Sequence, residues 1–575
     1  MKMFAPHVAD GYKFGHRGMF PMHCDLIYSN LTPRSDRHFR SSSACSQHYD
    51  GKVVNLGIQG AIVELTELWQ TSFFDKPETE VIARFKARVD TYLGPDVVPV
   101  DGMRALHQLG YLPINVLALP EGMRVPMGVP LYVIYNTQPE FFWLVNFLET
   151  AMSALTWKTV TNATIAFEYR RVFEHFAEVT GCDPAGIIFQ GHDFSWRGMS
   201  GIEDGARSNI GHLLSFAGTD TVGAIDYIDD YYDAQSLAPG SLIGASVPAT
   251  EHSVATSNIL ARLREPLPFG LVVPKARLAA EQAFIRELIT EKHPTGIVSI
   301  VCDSFDFWGV LTNVLPELKD DILARKPNDI GMAKVVVRPD SGDPVRIIAG
   351  YRLLPERFNT QEEFDAYIYE HGLIAINHYE VVAVGEAYYE YDYFNGKIGD
   401  QPLTEHEVKG AVEVLYDTFG GTTTSKGYQV LNDRIGLIYG DSITVHRQEE
   451  ILTRLAEKQF ASCNVVLGVG SYTYQHVTRD TFGMAVKATA CGQNGEVFDL
   501  YKDPATGDRT KRSAKGFLKV NRLGNDFVLE QEVSISDVKY LPLESGELKL
   551  IYTNGLLTNP VDFSTLRARL ECDLY

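Results

Sequence analysis

The sequence predicts an α/β fold built on one parallel sheet curled into a βα barrel, and three observations carry that reading. Seven short apolar strands recur from about residue 186, each ends in a polar turn, and each turn leads into a helix-period stretch. They are GIIFQGHDFSWRG (186–198), GHLLSFAGTDTVGAI (211–225), SLIGASVPATEHSVA (241–255), GIVSIVCDSFDFWGVL (296–311), KVVVRPDSGDP (334–344), RIGLIYGDSIT (434–444) and CNVVLGVGSYTY (463–474). Interleaved strands and helices are the rhythm of a parallel sheet. Polar strand ends gathered on one side are where barrels build their sites. An open doubly wound sheet is the alternative, with its ligand at the same ends.

Upstream, GAIVELTELWQTSFF (60–74) and PEFFWLVNFLETAMSALTW (139–157) carry helix-period apolar positions, whereas LPINVLALP (112–120) and VPLYVIYN (129–136) read as strands bounded by Pro and Gly. Between 350 and 430 the rhythm breaks into a Tyr-rich, acidic stretch, read as an insertion on the outside of the barrel. Its GGTTTSK (420–426) departs from G-x-x-x-x-G-K-[ST] and follows no apolar strand, so it reads as a flexible loop.

With 575 residues and 45% apolar composition the chain is globular and large enough for two or three domains. Fifty-two Lys and Arg against 73 Asp and Glu give a net charge of −21, which argues against sequence-independent binding to nucleic acid or anionic membrane. Any basic patch must be local. The N-terminal MKMFAPHVADGYKFGH lacks the apolar core of a signal peptide, and no run approaches the roughly 18 apolar residues of a membrane span. A cytoplasmic protein is expected. Seven cysteines (24, 45, 182, 302, 463, 491, 572) stand singly, without C-x-x-C, and read as reduced thiols. No H-E-x-x-H occurs, His371 and His378 read as surface residues, and no protein metal site is expected.

The strand ends carry the chemistry. They supply Phe194 and Arg197, Asp220, Glu251 and His252, Asp303 and Asp306, Arg338 and Asp340, Gly440 and Asp441, and Gly470 and Ser471. Each alone has an ordinary explanation as a cap, a turn or a surface ion pair. Together they mix cations, carboxylates and small residues, as a phosphorylated sugar requires. Carboxylates accept from a ribose diol, while Arg and Gly N–H groups hold phosphate oxygens. Phe194 offers a face to a flat ring.

These motifs resemble the nicotinamide phosphoribosyltransferase family, from DGYK (10–13) through GYLPINVLALPEG, NTQPEFFWLVNFLET, HDFSWRG, FAGTDTV, SVPATEHS, CDSFD, VVVRPDSGDP and YGDS to VTRD and KDPATGDRTKRSAKG. The likeness covers most of the chain outside 350–430. It implies a distorted α/β barrel of the type II phosphoribosyltransferase kind, with an α+β domain formed by the N-terminal region and the C-terminal segment. The expected layout is 1–155 as the N-terminal α+β domain, its first 35 or so residues reaching the partner's site. Residues 156–345 and 430–500 then form the barrel, 346–429 the insertion, and 501–575 a segment packing with the N-terminal domain.

The resemblance also implies transfer of phosphoribose from 5-phosphoribosyl-1-pyrophosphate to nicotinamide in NAD salvage, by a homodimer with shared sites. Mg²⁺ would accompany pyrophosphate, and ATP would be an activating co-substrate. Nicotinamide would stack between Phe194 and Tyr12 donated by the partner, with Asp220 on its amide. Arg338 would reach the carbonyl side and pyrophosphate, Asp340 the ribose, and Gly440, Asp441, Gly470 and Ser471 the ribose and its phosphate. Arg197 and His252 match the pyrophosphate site, and Arg34, Arg479, Lys487, Lys502 and Lys511 would add charge from the other subunit. His252 would be phosphorylated by ATP, with Glu251 or Asp306 orienting its imidazole.

Gly11, Trp196 and Ser471 stand where the family usually has Ser, Tyr and Gly. Rival readings are a nicotinate phosphoribosyltransferase, disfavoured because Asp220 would repel a carboxylate, and a catalytically silent relative. A barrel aldolase or isomerase would need a Schiff-base Lys or a metal cluster at a strand end.

Overall fold

Six parallel strands pair in the order Gly218–Thr219, Gly191–Asp193, Val465–Val469, Ile435–Tyr439, Ala333–Arg338 and Gly296–Val301. The structure, a computed structural model, describes residues 3–238, 240–263, 273–372, 377–392, 397–440, 443–502, 514–534 and 544–574. The seventh expected strand does not form as regular structure. Residues 245–250 instead lie between the two outer strands, with parallel bridges from Ala245 to Gly218 and from Ala249 to Ser299. Ala245 N donates to Ala217 O at 2.7 Å, and Ser299 N donates to Pro248 O at 2.9 Å. Pro248 has no N–H to give, which interrupts a regular ladder here. The ring therefore closes, with its distortion at this segment, and the open-sheet alternative falls.

Along Ala333–Arg338, Ala333, Val335 and Val337 are buried while Lys334, Val336 and Arg338 are half-buried. The period of two seals one face into the core and leaves the other half-buried, and only Arg338, at the strand's C-terminal end, reaches the mouth.

A second, antiparallel sheet runs Glu496–Asp499, Ala485–Gln493, Cys24–Thr32, Tyr132–Asn136, Ile114–Ala118, Leu548–Thr553 and Glu544–Ser545, with Leu556–Leu557 on Leu548–Thr553. C-terminal strands thus complete a sheet begun by the N-terminal region. Residues 485–499, expected within the barrel, join this sheet instead, Ala485–Gln493 pairing with Cys24–Thr32 and Glu496–Asp499 with Ala485–Gln493. Their stretch lacks the polar end and following helix that mark the barrel strands.

Helix Phe142–Thr180 serves both sheets. Its 39 residues span roughly 58 Å, and it packs against Cys24–Thr32 as well as the helices Ile210–Ser215 and Val445–Glu457. The expected boundary at 155/156 falls inside this helix, because its apolar positions continue without a break.

The stretch expected as an insertion is also narrower than 346–429. Leu353–Phe358, Val381–Val384, Ala387–Asp392 and Lys397–Leu403 form a separate sheet, with Phe364 buried against Leu354, Phe358 and Val382. Helix Ala411–Phe419 instead buries Ala411, Val412, Leu415 and Phe419 in the main core. GGTTTSK is a hairpin, Gly421–Thr423 against Gln429–Leu431. Thr424 Oγ1 and Lys426 Nζ donate to Thr180 O (2.6 Å) and Glu178 O (2.5 Å), satisfying carbonyls at the end of the long helix. Among the described residues no helix is long and apolar enough to cross a membrane.

Candidate active site

His192 and Phe194 share a face of the chain leaving strand Gly191–Asp193, their rings 4.4 Å apart and tilted by 31°. A Cβ on Gly468 of the neighbouring strand would lie 2.8 Å from both Phe194 Cδ2 and Tyr439 O, so only glycine seats the ring there. His192 Nε2 lies 3.0 Å from Asp220 Oδ1, and Ser246 Oγ donates to the same oxygen at 2.7 Å. Burial pushes the Asp220 carboxyl pKa up. The hydrogen bonds from His192 and Ser246, with the charges of His192 and Arg338, together outweigh burial and hold it below the usual carboxylate range. An ionised carboxylate only accepts, so His192 presents Nε2–H to it. Phe194 and Asp220, with Trp196, Arg197, Met199, Gly201 and Ile202, line a pocket of about 410 Å³.

Asp193, fully buried, holds this corner together. It accepts from Ser195 N (2.9 Å), Asn209 Nδ2 (2.8 Å) and Thr221 Oγ1 (2.6 Å), joining the loops that carry Phe194 and Asp220.

Arg338 and Asp340 leave strand Ala333–Arg338 on a turn fixed by the Tyr439 hydroxyl, which donates to Gly342 O at 2.9 Å. Arg338 Nε is buried with no hydrogen-bond partner among the described residues. A buried guanidinium N–H left open fits an anionic ligand. Gly440 permits the close approach of Asp340, whose Oδ1 would lie 2.8 Å from a Cβ there, with Arg338 Cδ at 3.6 Å. Gly470 and Ser471 follow the next strand, and the Ser471 side chain lies against Gly198, beside Arg197.

His252 opens helix His252–Arg262, half-exposed, with Nε2 3.0 Å from Oδ1 of the nearly buried Asp303. Asp303 Oδ2 accepts from Asp340 N (2.9 Å) and Ser341 Oγ (2.7 Å). This corrects the expectation that Glu251 or Asp306 orients the imidazole. Asp306 caps its own helix, accepting from Gly309 N at 2.8 Å, and Glu251 takes the Ser253 hydroxyl. Glu281 lies in the field of Asp303 and Asp306, buried, with Oε2 unpartnered among the described residues. Burial first, then the charges of Asp306 and Asp303, push its pKa up to about 8, so it is protonated at neutral pH.

Tyr12, Arg34, Arg479 and Lys487 lie apart from these, on or near the antiparallel sheet. Tyr12 is 62% exposed; its ring neighbours are His16 at 5.3 Å and Lys13 Nζ at 5.6 Å, not Phe194. Arg34 Nε donates to Gly483 O at 2.9 Å, and burial, then the charge of nearby Arg479, lower its pKa. Arg479 also acts on Tyr12. Lys487 lies 3.7 Å from Glu149, which also pairs with Lys13 at 3.0 Å. Lys502 is exposed beyond strand Glu496–Asp499. Asp441 and Lys511 lie outside the described residues.

Sequence reasoning missed His192, Ser246, Asp193 and Glu281 as parts of the site. Strand alternation places His192 beside Phe194 and was a usable signal. Ser246 gives none, and of the partners of Asp193 only Ser195 N is local.

A closed parallel barrel whose mouth pairs an aromatic–carboxylate pocket with an arginine, histidine and glycine rim defines an enzyme that holds a flat ring beside an anionic ligand. The chain belongs to the nicotinate phosphoribosyltransferase (NAPRTase) family, whose model matches residues 189–532, from the first barrel strand onward. A nicotinamide phosphoribosyltransferase from Acinetobacter baylyi is 43% identical over 566 residues, 98% of this chain and 96% of that protein. One from Mycoplasma pneumoniae is 29% identical over 88% of this chain and 93% of its own length. One from Xanthomonas campestris pv. campestris is 30% identical over 72% and 69%.

Proposed function

We propose that this protein transfers the 5-phosphoribosyl group of 5-phosphoribosyl-1-pyrophosphate to the ring nitrogen of nicotinamide, yielding nicotinamide mononucleotide and pyrophosphate for NAD salvage. The observation that carries this reading is Asp220, held ionised beside Phe194 by His192 and Ser246. A carboxylate there accepts from an amide NH2 and repels the carboxylate of nicotinate. The names of the relatives point the same way.

In the reaction the ribose C1–oxygen bond to pyrophosphate breaks as the ring nitrogen bonds to C1, through an oxocarbenium-like state. The ring nitrogen carries a neutral lone pair, so no general base is needed. Phe194 and Asp220 place that nitrogen. The open Arg338 Nε faces the leaving group, where charge grows, and Asp340 stands on the same rim for the sugar. Mg²⁺ is proposed to arrive on pyrophosphate; both Asp303 oxygens are already engaged, which suits an ion carried mainly by pyrophosphate oxygens and water.

His252, steadied by Asp303, is the proposed acceptor of phosphate from ATP. Its replacement by Ala then abolishes ATP hydrolysis and leaves residual transferase activity. The working form is proposed to be a cytoplasmic homodimer in which the partner's Tyr12 covers the ring on Phe194. The exposure of Tyr12 and the cations gathered near it support this.

Nicotinate is the second reading, favoured only by the name of the family. Purified protein given both bases in one reaction decides between them. Nicotinamide mononucleotide is the expected product; equal or faster use of nicotinate overturns the reading, and absence of pyrophosphate release would mark a silent relative.

A further inference from the structure

A cysteine precedes the first and the last strand of the barrel, and the two touch. Cys182 follows helix Phe142–Thr180, before strand Gly191–Asp193, and Cys463 directly precedes strand Val465–Val469. These strands, first and last of the barrel in chain order, are parallel neighbours with Leu467 opposite Gly191. The two Sγ atoms lie 2.9 Å apart although 281 residues separate them in sequence. The Cys463 amide at 3.3 Å and the Ser462 hydroxyl at 3.5 Å both donate to Cys182 Sγ. Cys463 is exposed and Cys182 partly so. The thiols expected to stand singly include one further pair, Cys24 and Cys491, but these are buried and 3.7 Å apart.

We propose that Cys182 and Cys463 form a peroxide-responsive site, in which Cys182 is oxidised and Cys463 then closes a disulfide across the seam of the barrel. Contact with the Cys463 sulfur, opposed by burial and joined by hydrogen bonds from the Ser462 and Thr180 hydroxyls and the Cys463 amide, draws the Cys182 thiol down to about 5. The same contact, then burial, pushes the Cys463 thiol well above its usual value. The donors converge on Cys182 Sγ, which favours that sulfur as the attacking thiolate and leaves Cys463 as the resolving thiol.

The Cys182 thiolate attacks one peroxide oxygen; the S–O bond forms, the O–O bond breaks, and hydroxide leaves. Hydroxide takes up the proton that Cys182 had released, giving water. The Cys463 sulfur then attacks the sulfenic sulfur, forming S–S as S–O breaks, and its proton departs with the second water. Two electrons pass from the thiol pair to peroxide. The bond sits at the N-terminal ends of its strands, opposite Phe194 and Ser471, so it staples the scaffold and leaves the mouth unaltered.

The test treats the intact protein with dilute hydrogen peroxide and maps peptides without reduction. A Cys182–Cys463 linkage is expected, with loss of two titratable thiols, unchanged transferase activity, and a melting temperature raised by a few degrees and restored by dithiothreitol. In Cys463→Ser, Cys182 should accumulate as a sulfenic acid trapped by dimedone, while Cys182→Ser should form no linkage. Oxidation of the exposed Cys572 ahead of Cys182, or a linkage found only between Cys24 and Cys491, overturns the proposal, and the wild-type map reads this even if a variant folds poorly.

Discussion

Asp303 Oδ1 lies 3.0 Å from His252 Nε2, and that contact joins the helix after the bridging segment 245–250 to the turn carrying Asp340, which binds the other oxygen. Asp303→Asn keeps the shape but sets an NH2 against donors on at least one side. An unpaired buried group of this kind costs about 1–3 kcal/mol, so kcat/KM should fall roughly 10- to 100-fold with ATP hydrolysis falling alongside. Steady-state rates check this, and combination with His252→Ala should be far from additive. Additive losses would mean the two residues act separately.

Asp220→Asn tests base selection. It removes the charge that favours an amide over a carboxylate, so kcat/KM for nicotinamide should drop roughly 10- to 100-fold while that for nicotinate holds or rises. An unaltered ratio in the two-base competition assay would place selection elsewhere.

Gly468→Ala probes the seat of the ring. The new Cβ meets Phe194 and Tyr439 O at 2.8 Å, and such overpacking costs about 1–3 kcal/mol. The KM for nicotinamide should rise several-fold with the KM for the phosphoribosyl donor unchanged, and the melting temperature should fall.

Glu281 gives a pH signature. Its folded pKa of about 8 lies above the ordinary 4.5, so the folded protein keeps a proton that the unfolded chain releases between those values. Stability from this group is full below pH 4.5 and is lost as pH rises to about 8. Glu281→Gln should flatten that decline and exceed the wild type at pH 8 by on the order of 4 kcal/mol. Urea unfolding at pH 5 and pH 8 measures it; parallel profiles would remove the claim.

Shared sites are tested by mixing. Tyr12→Ala and Phe194→Ala should each be weak alone, yet random heterodimers of the two contain one intact site and should recover about a quarter of wild-type activity. No recovery means that each subunit works alone.

Much of this site was legible because barrel strands advertise their ends. Phe194, Asp220, Arg338 and Asp340 each follow an apolar run, and their convergence follows from topology. The choice among partners was not legible. CDSFD offers two carboxylates three residues apart, and only the turn geometry commits Asp303 to His252 and Asp306 to a helix cap. Residues 245–250 read as a strand because Pro248 hides in an otherwise apolar run, and its missing N–H matters only once neighbours are in place. Long-range pairs such as Cys182 with Cys463 leave no local trace.

Helix Phe142–Thr180 gives the molecule a common spine. Trp143 and Phe147 lie at one end of it and Phe173 and Ala177 at the other, all buried in one continuous core. Neither the barrel nor the antiparallel sheet can be excised whole, since any cut leaves each fragment with half a helix and an uncovered apolar stripe. Calorimetry should therefore record these two units melting as one endotherm.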